Sequence, residues 1–284
     1  MKRFLPVNLE HLMPMRRETS VRAFIGSKQY QLSSDDDYLS HIQGEFEPDI
    51  VNLFTTLVEP DHVALDIGAN IGCTTILFAN IANKVFSFEP SPTTFHFLQK
   101  NVDRAKSSNV TLINMGLGKV NGQYELTFSP GNRSGGFVSN QLQTSAGHQV
   151  EQITILKGDD FISNEKLSRV DFVKIDVEGF EWDVIEGLRD TLDTFKPVVA
   201  LELNHWCLNA FQRITVPDFF DFLRNIFPYL YAVDKTDIRN LHNAGDSYHV
   251  MYHHIVNNFQ YPNLVGAFRK EQLARFSEAY DVDL

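Results

Sequence analysis

The sequence is poor in cysteine and has no long apolar run. Cys73 and Cys207 are the only cysteines among its 284 residues, and their positions match no metal-binding spacing. This composition argues against a disulfide framework and is typical of a reducing compartment, so we expect a cytoplasmic protein. No apolar stretch approaches the roughly 20 residues that cross a membrane, and no apolar segment follows Lys2 and Arg3. We therefore predict neither a membrane span nor a signal peptide.

Positive charge is also scarce. The chain has 25 Lys and Arg residues against 36 Asp and Glu residues, which gives a formal net charge of -11. Because nucleic acids are bound mainly through neutralisation of their phosphates, this balance argues against nucleic acid as a partner. It is compatible with a small neutral or cationic substrate. Hydrophobic residues make up 43% of the chain and include 23 Phe, enough for the core of one large domain with appendages. The sequence does not predict an oligomeric state.

A strand, a glycine turn and a helix are predicted near the end of the first quarter of the chain. Residues 63–67 are mostly apolar, as in a buried parallel strand, and we expect Asp66 to close that strand. Gly68 and Gly72 bracket the turn, and apolar residues with helical spacing follow it. A unit of this kind suits a nucleotide at the carboxyl edge of an α/β sheet.

The turn lacks the third glycine of the dinucleotide fingerprint. That fingerprint lets a pyrophosphate contact the backbone and a helix N-terminus, whereas the carboxylate of Asp66 would repel a pyrophosphate and favour a cationic ligand. A second predicted strand over residues 85–88 ends at Glu89. An acid at this position can accept both ribose hydroxyls in doubly wound nucleotide folds. A ribose together with a cationic amino-acid group describes S-adenosylmethionine, which is the predicted cofactor.

Three motifs of the chain, in this order, resemble those of the FkbM family of methyltransferases. They are Asp66-Ile-Gly-Ala-Asn-Ile-Gly72, Phe88-Glu-Pro90 and Val173-Lys-Ile-Asp-Val-Glu-Gly-Phe-Glu181, and the resemblance covers roughly residues 40–205. It implies an α/β fold, the Rossmann-like class I methyltransferase sheet, mostly parallel with an antiparallel last strand. It also implies a β insertion between strands 3 and 4, and methyl transfer to a hydroxyl, often on a sugar, glycan or secondary metabolite.

We expect three parts along the chain: an N-terminal arm over residues 1–40, a class I methyltransferase domain over residues 41–256 and a C-terminal appendage over residues 257–284. Alternating apolar residues predict the β insertion at about residues 119–157, with a loop over residues 130–136. Residues 229–233 and 250–255 are predicted as the last two strands of the sheet.

The expected cofactor contacts lie at strand ends and before the first long helix. Asn114 is expected at the edge of the adenine and Met115 at its face, although Met115 also suits ordinary core filling. Glu47 is expected near the methionine end of the cofactor, with a helix-start acid as the alternative. Ser91 is a natural N-cap of the helix after Glu89. The predicted set is Glu47, Asp66, Gly68, Ala69, Asn70, Gly72, Glu89, Pro90, Ser91, Asn114, Met115, Gly116 and Asp176.

Three residues are candidates for removing the proton of the acceptor. Asp176 ends the predicted fourth strand, where ligands gather in α/β sheets. Glu178 follows it, and His205 lies beyond the fifth strand and titrates near neutral pH. The alternatives are dipole complementarity at a helix start for Glu178 and a hydrogen-bonded loop position for His205. Lys174 is expected to pair with Asp176 or Asp171, because an unpaired buried charge is costly.

Other functions and a metal remain as alternatives. No metal is expected, although a Mg²⁺ ion held by Asp176, Glu202 and Asn204 is a conceivable variant. The predicted partner is a small-molecule or glycan acceptor. A nicotinamide-dependent oxidoreductase has a similar sheet, but the strand-end carboxylate and the missing third glycine argue against it. A catalytically inactive protein that binds the cofactor and acts through interactions is the third possibility, and the intact turn with its two carboxylates argues against that.

Overall fold

The secondary structure alternates between strands and helices along most of the chain. A computed structural model describes residues 17–42, 44–129, 131–139 and 147–284. Its strands are β1 (Thr19–Ile25), β2 (Lys28–Ser34), β3 (Val63–Ile67), β4 (Lys84–Phe88), β5 (Val110–Ile113), β6 (Gly116–Gly118), β7 (Gly122–Ser129), β8 (Asn132–Val138), β9 (Gln149–Lys157), β10 (Phe172–Ile175), β11 (Val198–Glu202), β12 (Tyr229–Asp234), β13 (Asp237–Asn240) and β14 (Asn263–Ala267). Its α-helices are α1 (Pro48–Leu57), α2 (Cys73–Ile81), α3 (Pro92–Ala105), α4 (Gly158–Asn164), α5 (Glu181–Gly187), α6 (Arg189–Phe195), α7 (His205–Cys207), α8 (Val216–Arg224), α9 (Ala244–Val256) and α10 (Ala274–Tyr280). Shorter helical turns are Asp37–His41, Leu208–Gln212 and Lys270–Leu273.

Eight strands form the central sheet, in the order β13-β12-β14-β11-β10-β3-β4-β5. β3, β4, β5, β10 and β11 are parallel to one another, whereas β14 is antiparallel to both of its neighbours, β11 and β12. The carboxyl ends of the parallel strands therefore meet at one end of the sheet, where ligands bind in α/β folds. The predicted fold class, a mostly parallel α/β sheet of the Rossmann-like class I methyltransferase type with an antiparallel last strand, is confirmed.

Aromatic side chains pack on both faces of this sheet. On one face, the rings of Phe54, Phe78 and Phe172 form a cluster with centroids 5.2, 5.4 and 5.8 Å apart. On the other face, Phe161 meets Phe86 and Phe88 edge to face. Burial of rings of this size accounts for much of the stability of such a core, and it holds the strand ends in fixed positions. None of the helices within the described ranges is both long and apolar enough to cross a membrane.

The last strand of the sheet lies farther along the chain than predicted. Residues 250–255 belong to α9, in which Val250 and His254 are buried one turn apart while Ile255 is exposed. This spacing matches the period of a helix and not the alternation of a strand. The antiparallel strand is instead β14, which lies between β11 and β12. The predicted boundary between domain and appendage at residue 256 is therefore wrong, because β14 lies inside the sheet.

The N-terminal segment packs against the domain. Of the predicted arm, residues 1–16 lie outside the described part of the chain, and β1 and β2 form an antiparallel hairpin. Leu32 of this hairpin is fully buried. Asn101 of α3 donates to the backbone oxygen of Ser33 (3.0 Å) and accepts from its backbone nitrogen (2.8 Å). The described part of the predicted arm is thus integrated into the core, which corrects the expectation of a surface arm.

The predicted β insertion is a separate four-stranded sheet with the order β6-β9-β7-β8. Along the chain it lies between β5 and β10 of the central sheet. Its glycine-rich run was predicted as a loop over residues 130–136, but β8 occupies residues 132–138; Pro130 lies outside the described residues. Backbone hydrogen bonds to β7 hold this run extended. The buried guanidinium of Arg133 also forms an ion pair with buried Asp35. This pair ties the insertion sheet to the N-terminal segment.

Candidate functional site

A cavity of about 560 Å³ opens at the carboxyl ends of the parallel strands. Its floor consists of the residues that follow β3, β4 and β10, together with the end of β11. The insertion sheet covers it through Leu126, Ile153 and Ile155, and the start of α1 closes one side through Phe46 and Glu47. The cavity therefore has one end against the β3–β4 region and another against the β10–β11 region.

The glycine turn after β3 brings the backbone to the cavity wall. Gly68 has φ +81°, and a Cβ at this position would lie 1.8 Å from the backbone oxygen of Asp176. Only glycine fits a backbone approach of this kind. The backbone nitrogens of Gly68 and Ala69 donate to Phe88 O at 3.0 and 2.9 Å. Gly68, Ala69 and Asn70 line the cavity, whereas Gly72 packs against α3 and starts α2.

Glu89 is a buried carboxylate in the cavity wall, held by the backbone. Its Oε2 accepts from the backbone nitrogen of Asn70 (3.0 Å), and its Oε1 accepts from the backbone nitrogen of Ser91 (2.9 Å). Only 7% of Glu89 is exposed, and burial raises its pKa to about 7, against the two backbone hydrogen bonds that lower it. Each oxygen keeps a second lone pair. This geometry suits the acceptance of two hydroxyl donors.

The residues next to Glu89 support it. Ser91 caps α3, as predicted, and its Oγ accepts from the backbone nitrogen of Thr94 (3.1 Å). The amide of Asn114 donates to the backbone oxygens of Glu89 (2.9 Å) and Pro90 (3.1 Å). Pro90 and Gly116 line the cavity, whereas Ser91, Asn114 and Met115 stand behind its wall. The amide hydrogens of Asn114 are thus engaged by the loop, and the expected contact of this residue with the adenine edge stays a prediction.

Asp66 lies behind the cavity and not in its lining. It is fully buried within β3, and its Oδ2 accepts from the hydroxyls of Thr74 (2.9 Å) and Thr75 (2.6 Å) of α2. Its Oδ1 lies 3.4 Å from Nζ of Lys174. Because side chains alternate along a strand, Asp66 shares the face of Ala64, which α2 covers. The expectation that this carboxylate faces a cationic ligand is thus corrected: it anchors the helix and a lysine.

Lys174 is the buried cation that joins the two ends of the cavity. Its Nζ lies 3.4 Å from Asp66 Oδ1 and 3.3 Å from Asp176 Oδ2, and it donates to the backbone oxygen of Gly68 at 2.7 Å. Burial lowers the pKa of this ammonium, but the carboxylates of Asp176 and Asp66 outweigh burial and raise it to about 12. The predicted partner Asp176 is confirmed. The other predicted partner, Asp171, instead accepts from the backbone nitrogen of Val63.

Three carboxylates meet at the other end of the cavity. One oxygen from each of Asp176, Glu178 and Glu202 lies within 4.8 Å of the other two. Glu178 accepts from Asn204 Nδ2 and Cys207 Sγ, both at 3.2 Å. Burial, followed by the charge of Asp176, raises the pKa of Glu178 to about 8, and the same two causes raise that of Glu202 well above its ordinary value. We name this set the carboxylate cluster.

Two more acids approach the carboxylate cluster. Glu181 is fully buried, and its Oε1 accepts from the backbone nitrogens of Val177 (3.2 Å) and Gly179 (3.1 Å). Burial raises its pKa to about 7. Glu47 lines the cavity and makes no hydrogen bond to the start of α1, which does not support the alternative of a helix-start acid. Burial and then the charge of Asp176 raise its pKa, which fits the predicted position near the methionine end.

His205, a predicted general base, does not line the cavity. It is the first residue of α7, and its ring packs against His254 (4.9 Å) and Phe259 (4.9 Å). Asn204 next to it caps α7, with Oδ1 accepting from the backbone nitrogen of Cys207. Both polar atoms of its amide therefore have hydrogen-bond partners, because Nδ2 donates to Glu178. The metal-ligand set considered from the sequence was Asp176, Glu202 and Asn204. In the structure, the third residue near Asp176 and Glu202 is Glu178 and not Asn204.

Several cavity residues carry no signal in the sequence. Tyr38 comes from the N-terminal segment, Leu126 from the insertion, and Lys235 from the turn after β12. None belongs to a motif, and only the fold brings them together. Glu202 is different, because its position at the end of a parallel strand marks it by the same rule that singles out Asp176.

A family model described as the methyltransferase FkbM domain matches residues 66–246. The chain belongs to the FkbM methyltransferase family. A solved FkbM methyltransferase from Methylobacillus flagellatus is 19% identical, with a TM-score of 0.42, over 58% of this chain and 37% of that one.

Curated relatives also resemble this FkbM family member. The hexuronic acid methyltransferase AglP of Haloferax volcanii is 31% identical over 159 residues, 54% of this chain and 61% of the relative. The 2-O-methyltransferase NoeI of Sinorhizobium fredii is 28% identical over 156 residues, 49% of this chain and 63% of the relative. The chain thus spans 61% and 63% of the lengths of these two relatives.

Proposed function

We propose that this FkbM family member is an S-adenosylmethionine-dependent methyltransferase. The observation that carries the proposal is Glu89, a buried carboxylate in the cavity wall with one backbone donor on each oxygen. It stands at the carboxyl end of the second parallel strand, where an acid binds the ribose hydroxyls of a nucleoside. The glycine turn supports the same assignment, since Gly68, Ala69 and Asn70 line the cavity beside Glu89.

We further propose that the acceptor group is a hydroxyl on a sugar or glycan. Two relatives support this choice by their descriptions, a hexuronic acid methyltransferase and a 2-O-methyltransferase. The carboxylate cluster supports it by its chemistry, because carboxylates accept hydrogen bonds from sugar hydroxyls and take up the proton that a hydroxyl releases. The cofactor, when bound, supplies an electrophilic methyl group.

The protein's part in this reaction is positioning and proton acceptance. Glu89 would fix the ribose, and Glu47 and Asp176 would face the cationic amino-acid portion. Holding the acceptor oxygen in line with the methyl group supplies up to about 7–11 kcal/mol of barrier lowering in well-oriented reactions. Asp176 and Glu178 then stand where the hydroxyl proton leaves. His205 is no longer a candidate base, because its ring packs outside the cavity lining.

Calorimetry with S-adenosylmethionine, S-adenosylhomocysteine and NAD tests the cofactor. We expect both adenosyl compounds to bind and NAD not to bind. Binding of NAD alone would favour an oxidoreductase and overturn the proposal. A screen of uronic acids, neutral saccharides and oligosaccharides with a labelled methyl donor then tests the acceptor. Binding of the cofactor without transfer to any saccharide would refute the sugar assignment and favour another hydroxyl acceptor or an inactive binding protein.

A further inference from the structure

The carboxylate cluster has the composition and spacing of a cation site. Asp176 follows β10 directly and Glu202 is the last residue of β11, so two neighbouring parallel strands deliver them to the same point. Glu178 reaches this point from the turn before α5. One oxygen of each residue lies within 4.8 Å of the other two, and all three residues line the cavity.

Buried oxygens without partners provide a second, independent observation. Oε2 of Glu202 is buried and has no hydrogen-bond partner among the described residues, and the same holds for Oε2 of fully buried Glu181. The nearby amide of Asn204 is already committed to Glu178 and Cys207. A buried carboxylate oxygen without a donor or a cation carries a large free-energy cost. A proton, a donor or a cation can balance it, and the oxygen of Glu202 is the one that a group from the cavity can reach, because Glu202 lines the cavity and Glu181 does not.

The charge around the cluster points to a cation as that group. Lys174, the buried ammonium beside it, already divides its charge between Asp66 and Asp176. Neither Glu178 nor Glu202 forms an ion pair with a Lys, Arg or His within the residues that the structure describes. All three candidate ligands are carboxylates, the donors that hard divalent cations prefer over nitrogen or sulfur.

We propose that Asp176, Glu178 and Glu202 bind one divalent cation of the Mg²⁺, Mn²⁺ or Ca²⁺ type. The cation lies at the acceptor end of the cavity, with its remaining positions open to water or to oxygen atoms of a bound molecule. Its effect on chemistry rests on the proposed function: there it binds the acceptor hydroxyl and makes the proton easier to remove. The binding of the cation itself does not depend on that function.

Manganese titration tests the site without cofactor or acceptor. The full chain is treated with a chelator, freed of it, and titrated with Mn²⁺ while free Mn²⁺ is followed by electron paramagnetic resonance. We expect one site per chain, displacement by excess Mg²⁺, and at least tenfold weaker binding in Glu202→Gln and Glu178→Gln. The matched control is Glu59→Gln, in the acidic group Glu59, Asp61 and His62 outside the cavity, which should bind like the wild type.

The outcomes separate this proposal from the proposed function. Absence of stoichiometric Mn²⁺ binding to the wild type overturns the site, as does equal affinity in the wild type and in both cavity variants. Thermal unfolding shows whether each variant is folded. If a variant is not folded, the titration of the wild type alone tests the site. Mn²⁺ binding without any adenosyl-compound binding would keep the site and remove the methyltransferase proposal. Methyl transfer that survives chelation, with no Mn²⁺ bound, would keep the methyltransferase proposal and remove the cation site.

Discussion

The two ends of the cavity differ in how the carboxylates of Glu89 and Glu202 are hydrogen-bonded. At the β3–β4 end, which we propose as the nucleoside end, the backbone nitrogens of Asn70 and Ser91 fix both oxygens of Glu89. At the β10–β11 end, the proposed acceptor end, Glu202 keeps a buried oxygen that has no hydrogen-bond partner among the described residues. A carboxylate held by backbone donors has one geometry before any ligand arrives, which suits recognition of one constant nucleoside. A cluster with spare oxygens suits exchange of cations or protons, and it is the end at which chemistry can differ between acceptors.

The largest expected effect concerns Asp66, the fully buried partner of the lysine that joins the two ends. Asp66→Ala leaves Lys174 with one carboxylate and removes the acceptor of two threonine hydroxyls. We expect a loss of about 3–5 kcal/mol in the free energy of unfolding, the range for breaking a buried ion pair. Urea denaturation measures it.

The matched control for Asp66→Ala is Asp176→Asn, which removes the other partner of Lys174. The side chain of Asp176 is 44% exposed, so water can replace part of its interaction with buried Lys174. We therefore expect a smaller loss of stability than in Asp66→Ala, together with a strong loss of methyl transfer. Equal destabilisation by the two variants would contradict the distinction between a structural aspartate and a functional one.

An intermediate effect is expected from the packing behind the acceptor end. His254 is fully buried, its Nδ1 contacts the backbone oxygen of Gln260 at 2.8 Å, and burial lowers its pKa to about 4. The unfolded chain takes up this proton near pH 6.5, so the contribution of His254 to stability is complete above that pH and is lost as pH falls towards 4. We expect this contribution to the free energy of unfolding to decrease by about 2 kcal/mol from pH 7.5 to pH 5. Buried carboxyl groups with raised pKa values, such as those of Glu89 and Glu181, contribute in the opposite direction over this range, so the effect of His254 is the difference between the wild type and a His254 variant.

Denaturation of the wild type and of His254→Gln at several pH values measures this difference. The wild type should lose about 2 kcal/mol relative to His254→Gln between pH 7.5 and pH 5. His253→Gln, a change at the neighbouring and partly exposed histidine of the same helix, should follow the wild type. A difference between the wild type and His254→Gln that does not change with pH would contradict the prediction.

The smallest expected effect lies at the nucleoside end. Glu89→Gln places an amide where two backbone nitrogens need acceptors, so one of them loses its partner. We expect at least tenfold weaker binding of S-adenosylhomocysteine, which corresponds to about 1.4 kcal/mol. Calorimetry measures it, with the exposed Glu125→Gln on β7 as control. Unchanged affinity in Glu89→Gln would place the nucleoside elsewhere and remove the contrast between the ends.

Much of the fold was accessible from the sequence because its signals are local. Mostly apolar runs predict β3, β4 and β11. Glycines predict the turns from β3 to α2 and from β10 to α5. The failures have physical causes of longer range. Residues 250–255 are a short, mostly apolar and aromatic run that is compatible with a strand or a helix. Packing of this run against the rest of the domain selects the helix. The glycines of β8 suggest a loop, yet pairing with β7 and the ion pair of Arg133 keep it extended.

The site shows the same division. The sequence places Glu89, Asp176 and Glu178 correctly at strand ends that line the cavity. It does not tell which face of β3 carries Asp66, because that depends on where α2 packs. Nor does it reveal that the ring of His205 packs against His254 and Phe259, since those partners lie about 50 residues later in the chain.

The position of β14 has a consequence for synthesis of the chain. Because β14 lies between β11 and β12, the edges of these two strands that face β14 stay unpaired until residue 267 has left the ribosome. During translation, the strand that carries Glu202 therefore keeps an open edge through the production of more than sixty further residues. The nascent polypeptide can pair β3, β4 and β5 before that point, but the sheet edge beside its acidic centre closes only after β14 has been made.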